Sequence, residues 1–163
     1  MSDQFWLSEE QLGRIKPYFP LSHGVPRVDD RRVVSGIVHV IRNGLRWRDA
    51  PEVYGPHKTL YNRFIRWSRM GVFNRIFAAL AAADGPPDRL MIDRGINPCI
   101  PPRAKRKSPA TYCKALYKQR HRVENMFAKL KDWRRISTRY DRCAHTFFSA
   151  ICIAAIVIFW INQ

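Results

Sequence analysis

The residues best suited to chemistry lie in one helix-length run, Tyr117-Lys-Gln-Arg120-His-Arg-Val-Glu124-Asn-Met-Phe-Ala-Lys-Leu-Lys131. At the helical repeat, Tyr117, Arg120, Glu124 and Lys131 fall within roughly 60° of one another, so they share one face. One carboxylate among cations suits a divalent metal or a phosphate-handling site, because the carboxylate can ligate the metal while the cations hold phosphate oxygens. Beside that stripe, Val123, Met126, Phe127, Leu130 and Trp133 form an apolar face expected to pack inward.

The charge distribution agrees with a polyanionic partner. The 163-residue chain has a net charge of +16 and 46% hydrophobic residues, which argues for a folded core rather than disorder. Residues 1–88 carry 13 Lys/Arg against 9 Asp/Glu, and residues 89–163 carry 16 against 4, so the two halves contribute +4 and +12. A basic surface of this kind gains free energy by releasing counterions from nucleic acid. A ribosomal-type or merely solvated basic protein is the plain alternative, and the 12% aromatic content and fused apolar stretches argue against it.

Cys99, Cys113, Cys143 and Cys152 show neither paired CxxC spacing nor a zinc pattern. The start, Met-Ser-Asp-Gln-Phe-Trp, lacks the basic and apolar regions of a signal peptide, so reduced thiols in a cytoplasm are expected. Thr146–Ile161 is an apolar run of 16 residues, where a spanning helix needs about 20. It reads as a buried core helix with no polar face, with a terminal membrane anchor as the alternative.

Several elements can position these groups. Ser8-Glu-Glu-Gln11 has capping-box form and opens a helix ending near Pro17. Asp29 and Asp30 precede a second helix over Arg31–Asn43, closed by Gly44, although its β-branched core also permits a strand. A third helix is predicted from about Lys58 to Met70, stopped by Gly71. On it Leu60, Phe64 and Trp67 gather on one side, and Lys58, Asn62, Arg66 and Arg69 on the other. A fourth helix runs from Val72 to about Ala83, before the break Asp84-Gly-Pro-Pro87. Short helices joined by tight turns, the third basic and bearing Asn, fit a helix-turn-helix DNA-binding unit; an ordinary solvated helix face is the alternative. Beyond the break, Arg89–Asp93 and Ile96–Ile100 read as two short strands, followed by a basic loop from Pro101 to Lys107.

The spacing Tyr-x2-Arg-x3-Glu-x6-Lys at Tyr117, Arg120, Glu124 and Lys131 resembles the carboxy-terminal signature of DDE transposases of bacterial insertion sequences. The flanking text, Lys114-Ala-Leu-Tyr117, Asp132-Trp133-Arg134-Arg135 and Arg139-Tyr140-Asp141-Arg142, resembles the insertion-sequence family numbered five. So does the amino-terminal text, with Asp29-Asp30-Arg31-Arg32, Trp47-Arg48-Asp49 and Gly55-Pro56. The resemblance covers nearly the whole chain. It implies a mainly α protein: a helix-turn-helix-like DNA-binding domain over residues 1–83, and over 84–163 an incomplete ribonuclease H-like (α/β) remnant with at most two short strands.

In such enzymes two Asp and one Glu hold two Mg²⁺ (or Mn²⁺) ions about 3.5–4 Å apart, which activate the attacking oxygen on a phosphodiester. Asp93 and Glu124 match as catalytic and metal-binding residues. Tyr117, Arg120, Lys131, Arg134 and Arg135 match as DNA contacts, alongside Lys58, Asn62, Arg66 and Arg69 in the amino-terminal domain. The implied partners are the element's terminal inverted repeats and, as protein, a second copy or an intact transposase; no membrane is involved, and the setting is the bacterial cytoplasm.

This chain departs from the pattern in one place. The 30 residues between Asp93 and Glu124 contain no Asp or Glu, as though an internal segment were deleted. The triplet Asp93-Arg94-Gly95 is also compatible with the second Asp of the family, so either the first or the second is missing. Asp88, Asp132 and Asp141 are the nearby acids, the first in a loop, the others set among arginines as expected surface ion pairs. The expected consequence is a transposase that binds element ends without strand transfer; a regulator competing with intact transposase, or a decayed gene product, are the alternatives. With so few strands, the Thr146–Ile161 helix is expected to lose much of its covering and expose apolar surface.

Overall fold

In a computed structural model the described residues are 4–21, 29–83, 125 and 127–161, and all regular structure among them is helical. The two expected strands lie outside the described residues. Helix α1 (Glu9–Ile15) begins with the anticipated capping box: the Gln11 amide donates to Ser8 Oγ at 3.1 Å, and the Ser8 amide donates to Gln11 Oε1 at 2.8 Å. A short 3-10 turn over Lys16–Tyr18 follows.

The open choice of helix or strand resolves as helix α2 (Asp30–Asn43). Asp29 accepts the amides of Arg31 and Arg32, and Gly44, at φ 66°, closes the helix in the left-handed region that a side chain disfavours. Most of α2 is buried, which explains why β-branched residues tolerate it: packing on several sides outweighs their weak helix propensity. Gly36 permits the closest approach, since a Cβ there would stand 2.6 Å from Cβ of Tyr54.

Two 3-10 turns, Trp47–Asp49 and Glu52–Tyr54, lead to helix α3 (His57–Arg69), and Gly71, at φ 65°, turns the chain directly into α4 (Val72–Ala83). Near the carboxy terminus lie one short turn of helix, α5 (Arg134–Ser137), and the apolar helix α6 (Ala144–Ile156), continued by a wider π-type turn over Val157–Ile161.

Over Ala144–Ile161 the mean hydropathy is 2.2, long and apolar enough to cross a membrane by length and composition, yet 67% of that stretch is buried inside the fold. The expectation that it lacks covering is corrected. Helix α6 packs on α4, α3 and α2, and its residues share one hydrophobic cluster with Leu7, Leu12, Ile37, Phe64 and Ile76. The described helices within residues 1–83 supply its apolar walls. Residues of α1 also close the end of this segment, because Gln11 Nε2 donates to the Ile161 carbonyl at 2.9 Å and Arg14 donates to that of Trp160.

The inward face expected around the end of the 117–131 run is realised in part. Leu130 and Trp133 are buried, whereas Phe127 is 55% exposed; Val123 and Met126 lie outside the described residues. Among the described residues of this face, those nearest α5 reach the core, and Phe127, one turn earlier, stands clear of it. Both described cysteines are free: Cys143 is exposed, and Cys152 is buried, which raises its thiol to about 11.

A buried cation fastens the carboxy-terminal segment to the amino-terminal helices. Arg135 is 2% exposed; its Nε and Nη2 donate to the two oxygens of Asp141 at 2.7 and 2.9 Å, and its Nη1 donates to the Leu45 carbonyl at 2.9 Å. The guanidinium lies 4.9 Å from the Trp47 ring and 4.4 Å from the Tyr140 ring. Asp141 is therefore paired as expected, but inside the protein rather than on its surface. Asp132 is exposed, with no ion pair among the described residues.

Replacing Arg135 with Ala leaves Asp141 and the Leu45 carbonyl desolvated without a donor. The variant should lose about 3–5 kcal/mol of unfolding free energy, measured by urea denaturation; a loss under about 1 kcal/mol would show that the pair does not hold the segment. A second prediction concerns His39, buried in α2 against Tyr54 at 5.3 Å between ring centres. Burial, and then the nearby Arg42 charge, lower its pKa below the ordinary 6.5. The unfolded chain then takes up a proton that the folded chain refuses, so His39's contribution is complete above 6.5 and declines as pH falls below it. The urea midpoint should drop between pH 7.5 and 5.5, and His39→Phe should flatten that drop; an equal drop in the variant would assign it elsewhere.

Candidate nucleic-acid interface

Helix α3 is fixed from behind. Leu60, Phe64 and Trp67 are 0–2% exposed and face the core, as their spacing predicts. Phe64 stacks near Trp47 at 5.1 Å, and Trp67 near Phe19 at 4.6 Å. Polar contacts add orientation: Arg63, on the flank of α3, donates to Asp30 at the start of α2, with both side chains only 12–13% exposed, and its guanidinium lies 5.0 Å from the Trp67 ring. Asp30 thus does more than favour the positive end of α2; it also sets the position of α3.

On the opposite side Lys58, Asn62, Arg66 and Arg69 are all exposed, and so is Tyr61. Held by a rigid back, this face presents three cations and an amide to solvent. An Arg fork can meet guanine edges or phosphates, and an Asn can pair with adenine. Tyr61 was not anticipated: it lies at the edge of the basic arc, where a helical wheel alone does not separate a boundary aromatic from a core one. Its ring is 5.8 Å from that of Trp47.

The other expected site residues divide into three groups. Asp93, Tyr117, Arg120 and Glu124, including both expected metal ligands, lie outside the described residues. Lys131 and Arg134 are exposed, as a contact to a phosphate requires. Arg135 is buried, with its Nε, Nη1 and Nη2 engaged by Asp141 and the Leu45 carbonyl, so its guanidinium is not presented to a ligand. Sequence proximity to Arg134 suggested a matched pair, but adjacent residues on a helix point about 100° apart, and here one faces solvent and the other the core.

Close by, Arg46 donates to Asp49 at 2.6 Å, which raises the Arg46 pKa and lowers that of Asp49 through their mutual hydrogen bond. Both are exposed, so the pair shapes the turn more than it stabilises the fold. Arg48, whose side chain is 67% exposed, stands 4.0 Å from the same carboxylate and is left directed toward solvent.

Among the described residues no cluster of three or more His, Cys, Asp or Glu could hold a metal ion.

Comparison with known proteins finds two family models that match this chain. The family model described as a transposase of the IS4/5 family matches residues 7–77, and the model for the transposase DDE domain matches residues 88–160. The uncharacterized protein y4sN of Sinorhizobium fredii is 33% identical over 93 residues, covering 55% of this chain and 74% of that protein. An uncharacterized 16.2 kDa protein of insertion element IS402, from Burkholderia cepacia, is 32% identical over 97 residues, covering 58% of this chain and 66% of that protein. No solved structure matches the chain. The two family regions, in this order and joined in one core, place the chain among the insertion-sequence transposases of the IS4/5 family.

Proposed function

We propose that this chain binds the terminal inverted repeats of its insertion element through the exposed face of α3 and does not itself carry out strand transfer. The observation that carries the reading is the pairing of opposite faces on one helix. Leu60, Phe64 and Trp67 are locked into the core, while Lys58, Asn62, Arg66 and Arg69 stand in solvent. The division into a DNA-binding unit up to residue 83 and a DDE remnant beyond it follows the two family matches.

The proposed loss of catalysis rests on the donor set. An acid-free stretch of 30 residues separates Asp93 from Glu124, so a bridged metal pair would lack its third carboxylate. A chain that occupies the ends without cutting them would compete with intact transposase, in the cytoplasm where both act on the same DNA. The regulator reading is favoured over a decayed product by the completed core of α6, which leaves the terminal helix covered.

Arg66→Gln should weaken binding to the terminal repeats about tenfold, within the ~1–3 kcal/mol of a bidentate base contact, in a gel-shift titration at fixed salt. Equal affinity of the parent for repeat and unrelated duplexes would remove the end-binding assignment. In a second assay, pure protein with Mg²⁺ should leave an end-labelled repeat uncut. Cleavage that needs Mg²⁺ and disappears in Glu124→Gln would show that the site is complete after all.

A further inference from the structure

We infer that the DNA surface does not end at α3 but continues over the Trp47 turn onto the carboxy-terminal segment 134–142, where Arg48, Arg134 and Arg142 grip the phosphate backbone of the same duplex. The inference rests on the α3 reading above and extends it to residues that neither that helix nor the Tyr-Arg-Glu-Lys stripe contains.

Continuity is given by three successive contacts, each under 6 Å. The exposed Tyr61 ring of α3 meets Trp47 at 5.8 Å, Trp47 meets the Arg135 guanidinium at 4.9 Å, and Arg135 meets the exposed Tyr140 ring at 4.4 Å. The α2 end is equally close to α5, since a Cβ built on Gly44 would stand 2.7 Å from Cβ of Arg134. A rigid ridge therefore runs from α3 through the turn to α5 and the residues after it, with aromatic rings at both ends.

Its charge is one-sided. From 127 to 142 the chain carries six Lys/Arg and two Asp. One of the two, Asp141, is spent on buried Arg135, so it neutralises none of the exposed cations. Arg134 and Arg142 are exposed, and on the turn Asp49 is engaged by Arg46 at 2.6 Å, leaving Arg48 at 4.0 Å. Exposed cations carried on a fixed ridge fit the charge of a duplex backbone, and guanidinium groups there suit phosphate positioning.

The test uses the full chain, a 30-base-pair duplex and fluorescence anisotropy over a series of salt concentrations, with the triple variant Arg48→Gln, Arg134→Gln, Arg142→Gln. These side chains are exposed, so a thermal melt should match the parent. The triple variant should bind at least tenfold more weakly, and the slope of log affinity against log salt should shrink by about 2–3, near 0.9 per lost phosphate contact. Arg66→Gln combined with it should weaken binding further. An unchanged slope in the triple variant, while Arg66→Gln still weakens binding, would overturn the extension and leave the α3 reading standing. No binding by the parent, or no effect of either change, would overturn both. Tighter binding of an RNA duplex of equal length would overturn the assignment to DNA.

Discussion

Everything in this fold depends on covering a helix that has no polar side. Apolar side chains occur all around residues 144–161, and most of that stretch is buried although Phe148 stays exposed. In the structure α2, α3 and α4 close around that helix, and α1 reaches over its end through Gln11 and Arg14. The amino-terminal helices thereby acquire their own interior: Val33, Ile37, Phe64 and Ile76 are buried in the same cluster as Ile153 and Trp160. Two regions matched by different family models are joined by a shared hydrophobic core rather than by a hinge.

That arrangement explains how a basic helix can serve as a rigid reader. The α3 backbone is held by three core side chains and by the Asp30–Arg63 pair, so its outer residues lose little additional freedom on meeting a ligand. Arg135 performs the corresponding task for the carboxy-terminal segment. A guanidinium in the interior is costly unless it is paired and hydrogen-bonded; here a bidentate carboxylate, a backbone carbonyl and two aromatic rings surround it. Such an ion pair fixes a unique register between segments that apolar packing alone would leave free to slide.

Local signals were legible in the sequence. Ser8 with Gln11, Asp29 with Gly44, and Gly71 bounded helices that the structure places within a residue or two of the expected limits. The two-faced pattern of α3 was readable for the same reason: periodicity reports burial when one element packs on one core. What was not legible depends on distant partners. Arg135 reads as one more surface cation until Leu45 and Trp47 are placed beside it, and Asp30 reads as a helix-end charge until Arg63 faces it. Phe127 fits an apolar stripe, yet its turn lies beyond the reach of the core. The covering of α6 is not legible because it comes from α2, α3 and α4, more than 60 residues away in the chain.

On this reading the outer face of α3, presented by the shared core, meets DNA. Photo-crosslinking the full chain to a bromodeoxyuridine-substituted terminal repeat, then locating the adducts by mass spectrometry, tests it most directly. Adducts should concentrate in residues 57–69, with Tyr61 a natural acceptor. Adducts confined to α1 or α4, with none in 57–69, would contradict the account.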